Sequence, residues 1–277
     1  MKRSLYTVVS IAGLLFAWWI FSLILEVVRG VAIIPNPWQA LVEVARNADE
    51  ISRHLSASAI RLVTSMVIAF LAAVPLGLII GHERRFDRLA TPLIYITYPI
   101  PQVVFLPVLF IIFGLGDAVR ITVISLALFF QILISARGAA KGITREDLVS
   151  ALSAGAGRFQ VYRHVVLPAS LPAILTSMRV SIGLGMALLF LSETAPLRTL
   201  RGLGSFIAEH LAFRRDIAFA GVVAMAFLGL ILYILLDVIE RIVCRWRYVK
   251  RRDRSQWPSR LKPAKIKEWI SKKFSSS

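Results

Sequence analysis

Hydrophobic residues in this chain come in six long stretches separated by short polar breaks, and the breaks hold most of the charge. An apolar helix crosses the hydrocarbon of a bilayer with about 20 residues. The stretches fall at about 6–27, 58–81, within Leu89–Gly116, and at about 119–137, 172–193 and Ile217–Leu236. None shows the strict two-residue alternation of a barrel strand, so each predicts a spanning helix. The third stretch is long enough to tilt or to include a partial loop. The fourth has sixteen uncharged residues between Arg120 and Arg137, and both arginines are expected to snorkel toward the interfaces. The second carries Arg61 near its outer end, and the fifth contains Arg179.

The breaks differ in kind. Positions 28–57 form a substantial loop in which Pro35 and Pro37 precede a mixed helical stretch. HERRFDR at 82–88 makes a tight turn, 138–171 a long loop, and 194–216 a return across the opposite face. These boundaries divide the chain into a first helix with its loop at 1–56, a core membrane domain at 57–247, and a basic tail at 248–277. No internal repeat is visible.

Composition agrees with an all-α polytopic membrane protein. The chain is 57% hydrophobic, with a mean hydropathy of +0.71, above an ordinary soluble domain. A net charge of +17 points first to nucleic acid, but the charge lies in blocks beside apolar runs, where cytoplasmic loops carry it. With the N-terminus in the cytosol, every lysine falls on the cytosolic side, and both termini face the cytosol. From Asp237 to Ser277 there are thirteen basic and four acidic residues. This tail is expected to lie against anionic headgroups, each cation contributing about 1 kcal/mol. Its isolated Trp257 and Trp269 belong to no nucleic-acid-binding module, so no nucleic-acid partner is expected. Lys2 and Arg3 before the first stretch mimic a secretion signal. Twenty uncharged residues from Tyr6 to Leu25, interrupted by Trp18 and Trp19, predict an uncleaved helix instead. Cys244, the sole cysteine, reads as a small half-buried residue beside Arg245.

The long loop holds the most specific chemistry. Thr144 is placed to cap a helix, with Asp147 closing a capping box. Leu148, Ala151 and Leu152 then share a face. Gly155 and Gly157 loosen the chain, and a second amphipathic turn puts Phe159, Tyr162 and Val166 on one face before Pro168 and Pro172 end or kink it. Two short helices at a glycine hinge would fill a groove on a cytosolic partner, with Arg158 and Arg163 at the rim. An interfacial helix lying on lipid is the competing account.

The spacing G-x9-[IV]-x-L-P is met by Gly155, Val165, Leu167 and Pro168. It resembles the loop by which permease subunits of ATP-binding-cassette (ABC) importers grip their ATPase. In that motif, E-A-A-x3-G-x9-I-x-L-P, the glutamate falls on Val149 and the alanines on Ser150 and Ala151, so the glutamate is missing. Glu146 and Asp147 lie one turn earlier. The likeness extends over about 54–247, through Pro75-Leu76-Gly77, Gly81, Pro101, Leu106-Pro107, Phe113-Gly114-Leu115-Gly116, Leu171-Pro172-Ala173-Ile174-Leu175, Glu193, Gly202-Leu203-Gly204 and Trp246-Arg247. These are similar to the nitrate/sulfonate/taurine branch of such permeases.

The resemblance implies the six-helix type I importer permease fold. It further implies a second copy of the permease, in a homodimer, an ATPase dimer that binds ATP and Mg, and an extracytoplasmic solute-binding protein. The coupling residues it implies are Glu146, Asp147, Ala151, Gly155, Ala156, Arg158, Phe159, Tyr162, Val165, Leu167 and Pro168. Candidates for the solute pathway are Arg179, Glu193, Pro101 and Pro107, since charges at membrane depth face protein or water and prolines shape helices around cavities.

No G-x4-G-K-[ST] occurs, so the chain has no P-loop of its own, and the ATPase is expected to be a separate protein. Four isolated histidines supply no metal spacing, and neither a bound cofactor nor a catalytic residue is expected. Three other readings stay open: an ion-driven carrier, a membrane scaffold that recruits a cytosolic protein, and a lipid-modifying enzyme built on Glu146-Asp147.

Overall fold

The computed structural model describes residues 2–31, 33–194 and 201–247. Arg198 and the basic tail 248–277, with Trp257 and Trp269, lie outside the described residues. Among the described residues every regular element is helical. In chain order these are α1 (Lys2–Arg29), α2 (Pro37–Arg46), α3 (Ala48–His82), α4 (Arg84–Thr97), a 3-10 turn (Gln102–Phe105), α5 (Leu106–Phe113), α6 (Asp117–Lys141), α7 (Arg145–Ser153), α8 (Arg158–Val161), a π turn (Tyr162–Val166), α9 (Leu167–Thr194), α10 (Leu203–His210) and α11 (Arg215–Val243).

Five helical stretches are long and apolar enough to span a bilayer. The third sequence stretch is instead a broken pair, α4 with the 3-10 turn and α5, bent by 78°. The break falls at Tyr98–Pro101, where Pro99 and Pro101 remove amide donors and force their predecessors out of helical geometry. Counting the pair as one span restores six.

Two expectations need correction. The polar loop assigned to 28–57 is mostly helix. Asn36 caps α2, accepting from the Gln39 amide at 2.8 Å while the Gln39 side chain accepts from the Asn36 amide at 3.1 Å, and Pro37 occupies the first turn. The next helix then starts at Ala48 rather than 58, so the division at 56/57 falls inside α3. Pro168 and Pro172 do not end a helix either. The chain runs on from Arg158 to Thr194, with Pro168 in the first turn of α9 and Pro172 inside it. The π turn just before Pro168 widens the helix where the ring would otherwise press on the carbonyl of His164.

The centre of the molecule is the pair α3 and α6, against which α9 packs. Ala69, Ala73, Gly77 and Gly81 follow one another at four-residue spacing along α3, with Gly77 against Ala136 and Gly81 against Ala140 of α6. A Cβ on Gly77 would lie 2.6 Å from Cβ of Ala136 and 2.8 Å from the Leu133 carbonyl. In lipid there is little hydrophobic drive between helices, so such close backbone approach, with its dispersion contacts, holds them together. Leu128, Ile132, Ile174 and Leu189 fill the α6–α9 seam, and Leu203 and Phe206 of α10 are fully buried beside α11. α1 is peripheral, with most of its side chains exposed.

Candidate functional site

Alternation of the helices gathers His82, Lys141, α7, α8 and the start of α9 at one end of the molecule, hereafter the loop end. Thr144 opens the loop as expected, accepting from the Asp147 amide at 3.3 Å. The Asp147 carboxylate, however, takes the Thr144 hydroxyl at 2.8 Å rather than the backbone amide of a capping box. Leu148 and Ala151 of α7 pack on the core, while Glu146, Asp147, Val149 and Leu152 point outward. The Leu152 expected on the apolar face is 54% exposed.

Gly155 ends α7 with φ +84. Its amide donates to Leu152 O at 2.9 Å, and the Ala156 amide donates to Ala151 O at 3.2 Å. This is a Schellman closure, in which the left-handed position favours glycine. Ala156 and Ala151 both lean on the core, supplying the apolar contact that accompanies the motif. The chain then re-enters a helix at Gly157, whose amide donates to the Gln160 side chain at 2.8 Å.

Phe159, Tyr162 and Val166 do not share a face. Phe159 is 75% exposed, whereas Val161 and Val166 are buried. The π turn inserts an extra residue per turn between them, so the 3.6-residue phase on which that expectation rested is lost. Tyr162 turns back onto the protein. Its ring meets His82 edge-on at 5.0 Å, and Glu83 is the carboxylate nearby. Val165, Leu167 and Pro168 are half-buried at the root of the loop. Arg158 and Arg163 are exposed.

Of the pathway candidates, Glu193 lies at the opposite end, only 1% exposed. It accepts from Arg61 Nη1 at 2.6 Å, Ser58 Oγ at 2.8 Å and the Gly204 amide at 2.8 Å. Ser58 Oγ in turn accepts from the Leu203 amide at 2.8 Å. Arg61 also donates from Nε to Asp117 at 2.8 Å, and Arg120 donates from Nε to the Ser192 carbonyl at 3.2 Å. This knot ties α3, α6, α9 and the Gly202-Leu203-Gly204 turn together. Desolvated charges in such a place require this degree of pairing.

Arg120 and Arg137 therefore do not snorkel. Arg120 is buried in the knot, and Arg137 pairs with Asp87 across to α4, where Nε donates at 2.7 Å and Lys141 adds a bond of 2.8 Å. Such partners, Asp117 one turn back with the Ser192 carbonyl for Arg120 and Asp87 of α4 for Arg137, satisfy each cation more cheaply than a stretched side chain in lipid.

Arg179 sits toward the loop end, where Nη1 donates to Asp237 at 2.6 Å and Nη2 pairs with buried Glu240. Its guanidinium stands 5.5 Å from the Tyr233 ring centre. Glu240 also binds Arg247 at 2.8 Å, so the carboxylate that ties α11 to Arg179 of α9 is shared with the arginine just past α11. Pro101 and Pro107 are exposed on the broken pair. Cys244 is fully buried just past α11, and that burial pushes its thiol pKa up, against a smaller opposing pull from Arg247.

Asp87, Asp117, Asp237 and Glu240 were missed by sequence reasoning as partners. The available signal was the surplus of arginine at membrane depth, since Arg61, Arg137 and Arg179 each demand a carboxylate that their own segments do not provide, while Arg120 has Asp117 three residues before it.

The chain also resembles known proteins along most of its length. Residues 73–245 match the family described as binding-protein-dependent transport system inner membrane component. The taurine transport system permease protein TauC of Escherichia coli (strain K12) is 30% identical over 247 residues, covering 86% of this chain and 88% of the relative. The riboflavin transport system permease protein RibX of Chloroflexus aurantiacus is 30% identical over 168 residues, covering 60% and 62%. Among solved structures, an inward-facing conformation of the MetNI methionine ABC transporter aligns with a TM-score of 0.60 at 18% identity, covering 72% of this chain and 98% of that one. At that identity the likeness supports the fold, the type I importer permease fold. With the knot, the glycine-closed loop and these matches together, the chain belongs to the family of binding-protein-dependent transport system inner membrane components, as the permease subunit of an ABC importer.

Proposed function

We propose that this permease moves a small organic anion of the taurine or sulfonate class by alternating access, driven by a separate ATPase that docks on the loop 138–171. The observation that carries the docking is a projecting surface made of exposed Glu146, Asp147, Val149, Leu152 and Phe159 on backbone fixed by Thr144 and Gly155. Among the described residues nothing covers its apolar members, and the acids stand in for the glutamate that Val149 replaces. Ala151, Ala156, Val165, Leu167 and Pro168 seat the surface from behind. ATP and Mg bind in the partner, and the permease itself does no chemistry.

In this reading the loop end faces the cytosol, both termini lie there, and two permease copies surround one pathway served by an extracytoplasmic binding protein. Tyr162 carries loop movement to the end of α3 through His82 and Glu83. Because Arg179 and Glu193 are held by α11 and α3, they act on the pathway by fixing its walls, and Pro101 and Pro107 shape the broken pair beside it. The length of the match to the taurine permease supports the cargo class. Family membership favours the ATP-driven account over an ion-driven carrier.

Proteoliposomes holding the permease, the ATPase and the binding protein should accumulate taurine or an alkyl sulfonate only with ATP. Phe159→Ala should weaken ATPase docking by about 2 kcal/mol, the scale of an interface hot spot, and uptake should fall with it. Undiminished co-purification of the ATPase would remove the docking assignment; uptake of riboflavin in place of the sulfonates would remove the cargo.

A further inference from the structure

At the loop end, α3, α4 and the α8–π segment enclose a groove of about 890 Å³. Pro75, Leu78 and Ile79 of α3 and Phe86 and Leu89 of α4 form one side, and Phe159, Tyr162 and Leu167 at the root of the loop form the other. Phe86 and Leu89 are 54% and 72% exposed. Arg85, Arg158 and Arg163 stand around the mouth, all exposed. Glu83 is the one carboxylate among the lining residues, against three arginines, and Tyr162 lines the groove beside it.

The groove is graded along the helix axis. From Pro75 to Glu83, α3 advances about 12 Å at 1.5 Å per residue. The apolar floor therefore lies on the last turns of the span-length helix α3, and the cationic mouth lies at its charged end. Apolar below and cationic above is the inverse of an anionic phospholipid, whose acyl chain would cover the exposed Phe86 and Leu89 while its phosphate takes guanidinium donors. A peptide arriving from water would have no use for walls on a span-length helix, and a small free anion would have no use for apolar walls at all.

We propose that this groove is a binding site for one anionic phospholipid per permease copy, with the acyl chain along Leu78, Ile79 and Leu89 and the phosphate on Arg85 and Arg163. The lipid touches both the α3–α4 turn and the base of the loop, so it ties loop position to the charge of the bilayer. This assignment is independent of the cargo and goes beyond the transport reading.

The test uses the permease with its ATPase in nanodiscs of phosphatidylcholine doped with phosphatidylglycerol, followed by native mass spectrometry of the released complex. Wild type should retain one phosphatidylglycerol per permease copy, and excess inorganic phosphate should not displace it. Arg85→Gln with Arg163→Gln should lower retention about tenfold, the scale of lost charge-assisted contacts. Ile79→Trp, which fills the groove and leaves its charge intact, should lower it as well. Arg214→Gln, at the opposite end, should leave it unchanged. Equal retention of the two lipids, retention undiminished in the arginine variant, or displacement by phosphate overturns the proposal. So does protection of Phe86 and Leu89 from hydroxyl radicals by the ATPase in lipid-free detergent. The two arginines are exposed, so their replacement reads binding rather than folding.

Discussion

At the scale of single residues, the buried carboxylate of Glu193 is the most demanding group in the chain. It has a hydroxyl, a guanidinium and a backbone amide as partners, with 1% of its surface left to solvent. Glu193→Gln leaves Arg61 buried beside a neutral amide, and removing one member of such a pair costs about 3 kcal/mol. The thermal midpoint of the purified permease should fall accordingly; an unchanged midpoint would show that Asp117 alone satisfies Arg61. Gly155 makes a narrower claim. An alanine at φ +84 is strained by about 1–2 kcal/mol, and the strain is confined to the end of α7. Gly155→Ala should speed proteolysis of the loop while leaving global unfolding where it was. Both residues were legible in sequence as motif positions. The partners of Glu193 were not, because Ser58 and Arg61 lie more than 130 positions away in sequence.

At the scale of elements, hydrophobic length located the spans but not their internal breaks. The sixteen uncharged residues between Arg120 and Arg137 looked too short to span unaided, yet α6 runs Asp117–Lys141, with Arg120 held by Asp117 and the Ser192 carbonyl and Arg137 by Asp87 of α4. Proline had opposite effects in two places. Pro99 and Pro101 break a span, whereas Pro172 sits inside α9, where packed neighbours hold the helix on course. The α3–α6 seam depends on small residues. Gly77→Leu places a branched side chain where a Cβ alone would meet Ala136 at 2.6 Å, an overpacking cost of about 3 kcal/mol. Loss of a monodisperse peak in size-exclusion chromatography checks it, and Gly13→Leu on the open face of α1, where a Cβ meets nothing within 4 Å, is the control.

At the scale of the whole molecule, orientation decides which surface meets the ATPase. Cys244 is fully buried and its thiol pKa is raised, so the native protein should resist maleimide, thiolate being the reactive form. Single cysteines can then be placed on that silent background. Ser150→Cys, on the exposed side of α7, should label only from the cytosol, and Asp49→Cys, near the start of α3, only from outside. The reverse pattern would invert the molecule and detach the loop from any cytosolic motor.

Taken alone, the order of apolar runs and the charge of the breaks determined six membrane stretches with a polar loop, and the spacing from Gly155 to Pro168 supplied the resemblance to importer permeases. These are local properties: hydropathy acts over about 20 residues, and a glycine-closed turn over six. Only the tertiary structure decided that Phe159 faces out while Tyr162 packs against His82 of α3, and which distant carboxylates pair with Arg61, Arg137 and Arg179. Ion pairing between helices depends on their relative rotation and depth, set by close approach at Gly77 and by one extra residue in a π turn, neither of which leaves a period in the sequence.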